Sequence, residues 1–470
     1  MRCHCIPSAV RNILASFRPC FTLPGFAHFV ALVTGWILVP GRHTVSRVIQ
    51  AASGPKRHFA SRYRFLARGR WCVDAVGQVL FRLLLPWLPR EIVAVVDDTL
   101  CHKGGPHLFG AGMHHDGSRS AYGWLGGARR LLSFGHKWVL LSVRVPCPWN
   151  PDRGWAVPIL FRLYRNRKSS PRAEYKKRSE LAVDLLGILT AWLPEDRRLH
   201  LTGDRDYACQ TVVRRLPAGV DITGPVPLDA ALFKRPGRSR PKGRPRRKGQ
   251  RLPNPKRIAA RKRRGWRRIS LVLYGRSVTL CVWSRVCLWY TVARSHPVRI
   301  VVTRDPKGRA KPKAFFCTDP ARSVEEILQT YAQRWDLEVA IRNAKQMLGL
   351  EDPQNGFWRR KHGHRSDTRR PGPHPRGRRG EQAVKHTVPL VLVAYALILV
   401  WYLRQGEWKR DVATAKRLAP WYRQKSEPAF ADMLAALRRD LWAARLSQNP
   451  DASAHSQKLE RVLPLWALVA

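Results

Sequence analysis

Acidic residues are what this chain of 470 residues most lacks: 32 Asp and Glu stand against 86 Lys and Arg, a formal net charge of +54. An excess of that size repels itself unless a polyanion neutralises it, which points to nucleic acid as the partner. Between Lys234 and Arg268 the shortage is complete, with 18 Lys or Arg, interleaved Pro and Gly, and no acid. Such a stretch cannot pack a core and is expected to be mobile without DNA and to track phosphates. A second basic run rich in Gly and Pro covers residues 359–379. Long apolar runs are missing too. Residues 26–39 are interrupted by His28, and residues 388–403 are 16 long, short of the roughly 20 a spanning helix needs. The second run is therefore expected to be a buried core helix. The N-terminus has no clean signal peptide, so a cytoplasmic, nucleoid-associated protein without a membrane is expected. Ten cysteines without a regular framework exclude a disulfide scaffold. Cys3-His4-Cys5 has no second pair at a zinc-finger interval.

What is present suffices for a core: 44% of the residues are apolar, and the length allows two to four domains. Residues 1–88 read as helical, either a DNA-end-binding segment or a plain helical cap. Glu91-Ile-Val-Ala-Val-Val-Asp97-Asp98-Thr99 reads as an apolar strand delivering acids at its end. Two further β-rich runs follow at 137–145 and 155–164, then a helix at about 172–192. A short strand, Arg198-Leu-His-Leu-Thr-Gly203-Asp204, again ends in an acid, and a helix is expected to open at Tyr207. More strands are expected at 269–273, 277–282, 288–293, 299–303 and 314–317. The boundaries that result are 89–220 for a first core part, 221–319 for a basic linker and β-rich insertion, 320–403 for the last core part, and 404–470 for a helical tail. His114-His115-Asp116 sits in a Gly-rich stretch and reads as a polar loop rather than a metal set.

Tyr331, Arg334, Glu338 and Lys345 carry the chemical signal. On one helix, at about 100° per residue, they fall within an arc of roughly 60°. Leu337, Ile341, Ala344 and Leu348 form an apolar stripe beside them. Asp336 lies about 160° from Glu338 around that helix and cannot replace it. A carboxylate flanked by two cations and a phenol suits a metal-bound phosphodiester.

This spacing, Y-(2)-R-(3)-E-(6)-K, resembles the signature of a large superfamily of bacterial insertion-sequence DDE transposases. The resemblance covers roughly residues 92–354. It implies a ribonuclease-H-like α/β fold: a mixed sheet flanked by helices, a β-rich insertion before the last acid, and helical terminal segments. It also implies cleavage of DNA at element ends and joining of the 3′-OH ends to target DNA. The catalytic and metal-holding acids would be Asp98, Asp204 and Glu338. Asp97 and Asp98 point to opposite faces of a strand, and the family's Asp-Thr motif selects Asp98. Asp204 precedes Arg205 as the family pattern asks, leaving Asp206 as a helix N-cap. Two Mg²⁺ ions, with Mn²⁺ as the alternative, would be held by these acids, because in-line phosphoryl transfer needs charge on both the attacking and leaving oxygens. Tyr331, Arg334 and Lys345, with Lys103 of a Lys-Gly pair, would contact DNA. Trp283 and Trp289 read as ordinary strand packing. The implied partners are double-stranded element ends and target DNA, with a homodimer assembled on the DNA. The alternatives are a non-catalytic DNA-binding derivative and a standalone ribonuclease-H-like nuclease.

Overall fold

The apolar run Ile92–Val96 is built as the middle of a sheet. In the computed structural model, strand β1 (Glu91–His102) lies between an antiparallel neighbour, β3 (Leu132–Cys147), and a parallel one, β5 (Arg198–Gly203). Four of those five residues are fully buried, as expected for a strand covered on both faces. The structure describes residues 6–52, 58–104, 108–117, 131–167, 170–237, 246–260, 265–353 and 377–446. Most of the basic run at 359–379, parts of the one at 234–268, and the tail beyond 446 lie outside the described residues.

Beyond β3, its outer edge carries β2 (Gly112–His115) and then β4 (Asn150–Tyr164), the latter joined to β3 by a tight hairpin. His114 and His115 thus belong to a strand, not a loop. On the other side of β5 come β6 (Val220–Pro225), β10 (Lys313–Cys317), β9 (Pro297–Arg304), β8 (Arg276–Leu288) and β7 (Arg267–Leu273). The strands expected to form a separate insertion therefore extend one ten-stranded mixed sheet. The expected strand at 288–293 is only the end of β8. Its remainder is a single helical turn, Tyr290–Ala293, which reverses the chain into β9.

Helices flank the sheet, which makes the fold mixed α/β with an open mixed sheet of the ribonuclease-H-like kind. In chain order they are α1 (Ser8–Ala15), α2 (Leu23–Leu38), α3 (Val45–Ala51), α4 (Ala60–Arg68), α5 (Val73–Leu84), α6 (Arg178–Ala191), α7 (Gln210–Val213), α8 (Pro255–Ala260), α9 (Tyr290–Ala293), α10 (Val324–Gln333), α11 (Trp335–Leu348), α12 (Arg378–Gln405), α13 (Trp408–Leu418) and α14 (Phe430–Leu446). The helical reading of residues 1–88 corresponds to α1 to α5, which share one apolar core with β4, α12 and α14. α12 is longer than its apolar run suggests. By length and composition alone it could cross a membrane, but 94% of its most apolar window is buried inside the protein. It serves as the packing axis for α1, α2, α4, α5 and α14. A smaller apolar cluster, including Leu271, Val282, Phe315 and Ile327, holds α10 against β7 and β10.

Candidate active site

The first two acids meet because of strand register. Val96 pairs with Gly203 across the parallel β1–β5 contact, so Asp204, just past the end of β5, comes close to both Asp97 and Asp98. Gly203 makes the approach possible: a Cβ there would meet Val96 Cγ1 at 2.9 Å and Tyr207 Cβ at 3.0 Å. Asp97 is held by Arg334, whose Nη1 donates to Oδ2 at 2.8 Å, and its other oxygen accepts from the Asp98 amide at 2.8 Å. Burial and the facing Asp204 carboxylate push Asp97 up to about 7, against the pull of Arg334. Asp204 is raised as well, by burial and then by Asp206. Two adjacent acids with one guanidinium between them and the third acid form an under-neutralised anionic site.

That third acid is Glu338. The helix expected to carry the whole signature is two helices: α10 ends at Gln333, α11 begins at Trp335, and Arg334 sits in the turn between them. The amide of Arg334 donates to Tyr331 and that of Leu337 to Arg334, both three residues back, the tighter spacing of a 3₁₀ turn. From this joint the guanidinium forks, with Nη1 on Asp97 and Nη2 on Glu338 Oε1. Leu337, Ala344 and Leu348 are fully buried and fasten α11 beneath the sheet, with Ile341 packed beside them. Asp336 points elsewhere, to Arg144 at 2.8 Å.

Asp98, the acid that resemblance selects, departs from expectation. Strand alternation turns it to the opposite face, toward α6. There Lys137 Nζ approaches at 2.8 Å, Arg178 donates to Oδ2, and the Tyr207 hydroxyl donates at 2.9 Å. Arg178 also holds Asp206 at 2.7 Å. Asp206 is therefore an ion-pair partner, not an N-cap; α7 starts later, at Gln210, with Cys209 as its cap residue. Asp98 is paired with Lys137, Arg178 and Tyr207 although it shares the cleft with Asp204, whereas Asp97 shares its arginine with Glu338.

The expected DNA-contacting residues divide. Lys103 is a correction: it is buried, and its Nζ donates to the Glu351 and Pro353 carbonyls at 2.8 and 2.7 Å. It ties the end of β1 to the chain leaving α11 and has no surface to offer DNA. Gly349, in the left-handed region at φ 56°, turns that chain back toward it. Lys345 Nζ donates to the Leu100 carbonyl at 2.6 Å and pairs with Glu351 at 2.9 Å. Tyr331 packs its ring 4.8 Å from Phe315 beside Arg334. An open cleft of about 420 Å³ is lined by Asp98, Lys137, Arg178, Asp204, Asp206 and Lys345. Trp283 packs on the core from β8, as an ordinary strand residue does, whereas Trp289 lies just past the end of β8, capping α9, buried edge-on to Phe316 at 5.2 Å. Lys137, Arg178 and Tyr207 escape a reading of the sequence. Their convergence on Asp98 depends on the β1–β3 pairing and on the packing of α6, neither of which is local in sequence.

Among the described residues, no three His, Cys, Asp or Glu side chains gather as a metal-holding group. Asp97 and Asp204 lie close enough for their charges to interact, and the Arg334 guanidinium bridges Asp97 and Glu338.

Residues 16–277 match the family model described as DDE superfamily endonuclease, and residues 288–366 match that of an archaeal putative transposase, ISC1217. The first match holds Asp97, Asp98 and Asp204, the second Tyr331 to Lys345. No curated protein matches the chain. Endonucleases of this superfamily cleave nucleic acid and generally use divalent metal ions, and transposase families act on DNA. The first match spans 262 of 470 residues, more than half of the sequence, and the chain belongs to the DDE superfamily endonucleases.

Proposed function

We propose that the chain is a DDE transposase, which cuts DNA at the ends of a mobile element and joins the freed 3′-OH ends to target DNA. The observation that carries this reading is Arg334 forked between Asp97 and Glu338 while Asp204 faces Asp97. Asp97, Asp204 and Glu338 are the acids that would hold Mg²⁺ or Mn²⁺, with Asp97 in place of Asp98. Bound divalent ions supply charge stabilisation for the attacking and leaving oxygens of phosphoryl transfer. The chain's own residues supply the rest. Burial and Asp204 raise Asp97, and a divalent ion held beside it would favour its charged form. Arg334, released from the carboxylates, has a fork that fits a phosphate. Lys345 lines the cleft as a point charge. Asp98, with Lys137, Arg178 and Tyr207, holds β1, α6 and the Asp204 loop in fixed relation. Pairing two element ends calls for a dimer assembled on DNA, in the nucleoid.

The test is to incubate the full chain with Mg²⁺ or Mn²⁺ and a linear duplex carrying the sequences that flank its own gene. Strand-transfer products support the transposase. Hydrolysis of any duplex would make the chain a nuclease, and binding without cleavage would make it a non-catalytic derivative. Strand transfer undiminished by Glu338→Gln would sink the site assignment.

A further inference from the structure

A larger cleft, of about 880 Å³, opens on the far side of the first turn of α6, between α7, the start of β6 and the turn from α9 into β9. We propose that this cleft holds the sugar–phosphate backbone of a DNA segment remote from the acids. The proposal rests on DNA being the substrate, and it adds a second place where DNA is gripped. Lys177, Arg214, Arg215 and Arg294 line the cleft against two acids, Glu180 and Asp221. Both acids are engaged: Glu180 accepts from the Lys177 amide at 2.7 Å, and Asp221 from the Thr318 hydroxyl at 2.6 Å. Arg214 is structural, donating to the Val292 and Thr291 carbonyls and so fixing α7 to α9. Lys177, Arg215 and Arg294 are exposed and have no ion-pair partner among the described residues.

Arg294 makes the cleft more than a share of a basic surface. Its backbone stands at φ 52°, ψ −127°, a conformation that glycine adopts freely and a residue with a Cβ adopts at a cost to stability. A turn serving only to reverse the chain would be better made with glycine. The side chain retained there puts a guanidinium on the rim of the cleft. The lining contains no Phe, Tyr or Trp, and its exposed cations favour contact with phosphates, which does not read sequence. Lys177 adjoins Arg178, which holds Asp98 and Asp206 at the other cleft. The first turn of α6 thus contributes to both clefts.

The experiment uses the full chain and a fluorescent 30-base-pair duplex of arbitrary sequence, with anisotropy followed across salt concentration. The variant is Lys177→Gln/Arg215→Gln/Arg294→Gly. Its charge-matched control is Lys307→Gln/Lys416→Gln/Arg417→Gln, at exposed positions elsewhere. The cleft variant should bind roughly 10-fold more weakly, and its plot of log K against log salt should flatten by about 0.9 for each phosphate that the protein no longer neutralises. The control should change by less than about 2-fold on the same principle. Arg294→Gly alone should weaken binding while raising the melting temperature, a combination that a merely structural arginine would not give. Equal losses of affinity in the cleft variant and the control would overturn the proposal, as would polyglutamate competing as well as DNA. If the cleft variant binds normally while the wild type still transfers strands, only this proposal fails. If binding depends on the cleft but no strand is cut, only the catalytic reading fails.

Discussion

Asp97 and Asp98 are neighbours on one strand, with the same chemistry and nearly the same depth, yet the two faces of the sheet treat them oppositely. On the α6 face Asp98 meets Lys137, Arg178 and the Tyr207 hydroxyl, so its charge is matched. On the α11 face Asp97 meets another carboxylate and half of one guanidinium, so its charge is costly and its pKa rises. A matched charge holds structure together, whereas an unmatched one is kept for something the protein binds. On the proposed reading Asp-Asp-Thr encodes a division of labour, and exchanging the roles of the two acids is the direct way to break it.

The largest effect is expected at Asp97. Asp97→Asn removes a charge that the fold already disfavours, so the melting temperature should hold or rise. DNA cleavage should nevertheless fall by on the order of 10³-fold or more, as when a member of a catalytic unit is removed. Asp98→Asn should do the reverse. It leaves Lys137 and Arg178 facing a neutral amide in a mostly buried site, which costs about 3 kcal/mol of stability. Its cleavage defect should recover when the variant is assayed at a temperature where it remains folded. Denaturant titration and a cleavage assay on both variants decide the matter. A stable, inactive Asp98→Asn beside an active Asp97→Asn would invert the assignment.

Lys103 sharpens the same contrast from the end of β1. As a buried donor to two carbonyls it belongs with the structural residues. Lys103→Met should cost about 2 kcal/mol through the orphaned Glu351 and Pro353 carbonyls. The salt dependence of DNA binding should not change. A shallower salt slope with unchanged stability would return Lys103 to the DNA-contacting set.

How much of this is legible in the sequence follows from the range of each interaction. The strand at Ile92–Val96, the buried stripe of Leu337, Ala344 and Leu348, and the apolar part of α12 are local patterns of hydrophobicity, and they are visible in it. That Asp97 and Asp98 face opposite ways is visible too, from the two-residue period of a strand. Which of them faces Glu338 is not. It depends on which face of the sheet α11 packs against, and the Asp97–Arg334 bond that marks this spans 237 residues. The break at Arg334 leaves no mark either, because the residues around it are ordinary helix formers. Lys103 looks exposed because a lysine in a Gly-rich turn usually is, and its two carbonyl partners lie about 250 residues away. The β7–β9 segments are recognisable as strands, but their continuity with the core sheet depends on β10 bridging β6 and β9.

The smallest expected effect separates the two faces by pH. Asp97 has a folded pKa of about 7 against an ordinary 3.8. Between those values the folded protein binds the extra proton, so the contribution of Asp97 to stability is full below about pH 4 and is lost as pH rises to 7. His114, which senses Lys137 and Arg178 on the Asp98 face, runs the other way. Burial and Lys137 lower it from 6.5 to about 4, so its contribution is full above 6.5 and is lost as pH falls to 4. Over the same window the two groups oppose each other. In chelator-containing buffer, Asp97→Asn should therefore lose stability on acidification from pH 7 to 5 more steeply than wild type, by up to about 1 kcal/mol per pH unit. His114→Phe, which keeps a ring against Tyr164, should flatten the acid loss instead. Urea midpoints across this range measure both slopes. Parallel curves for wild type and Asp97→Asn would mean that the Asp97 charge is already matched, and the contrast between the faces would collapse.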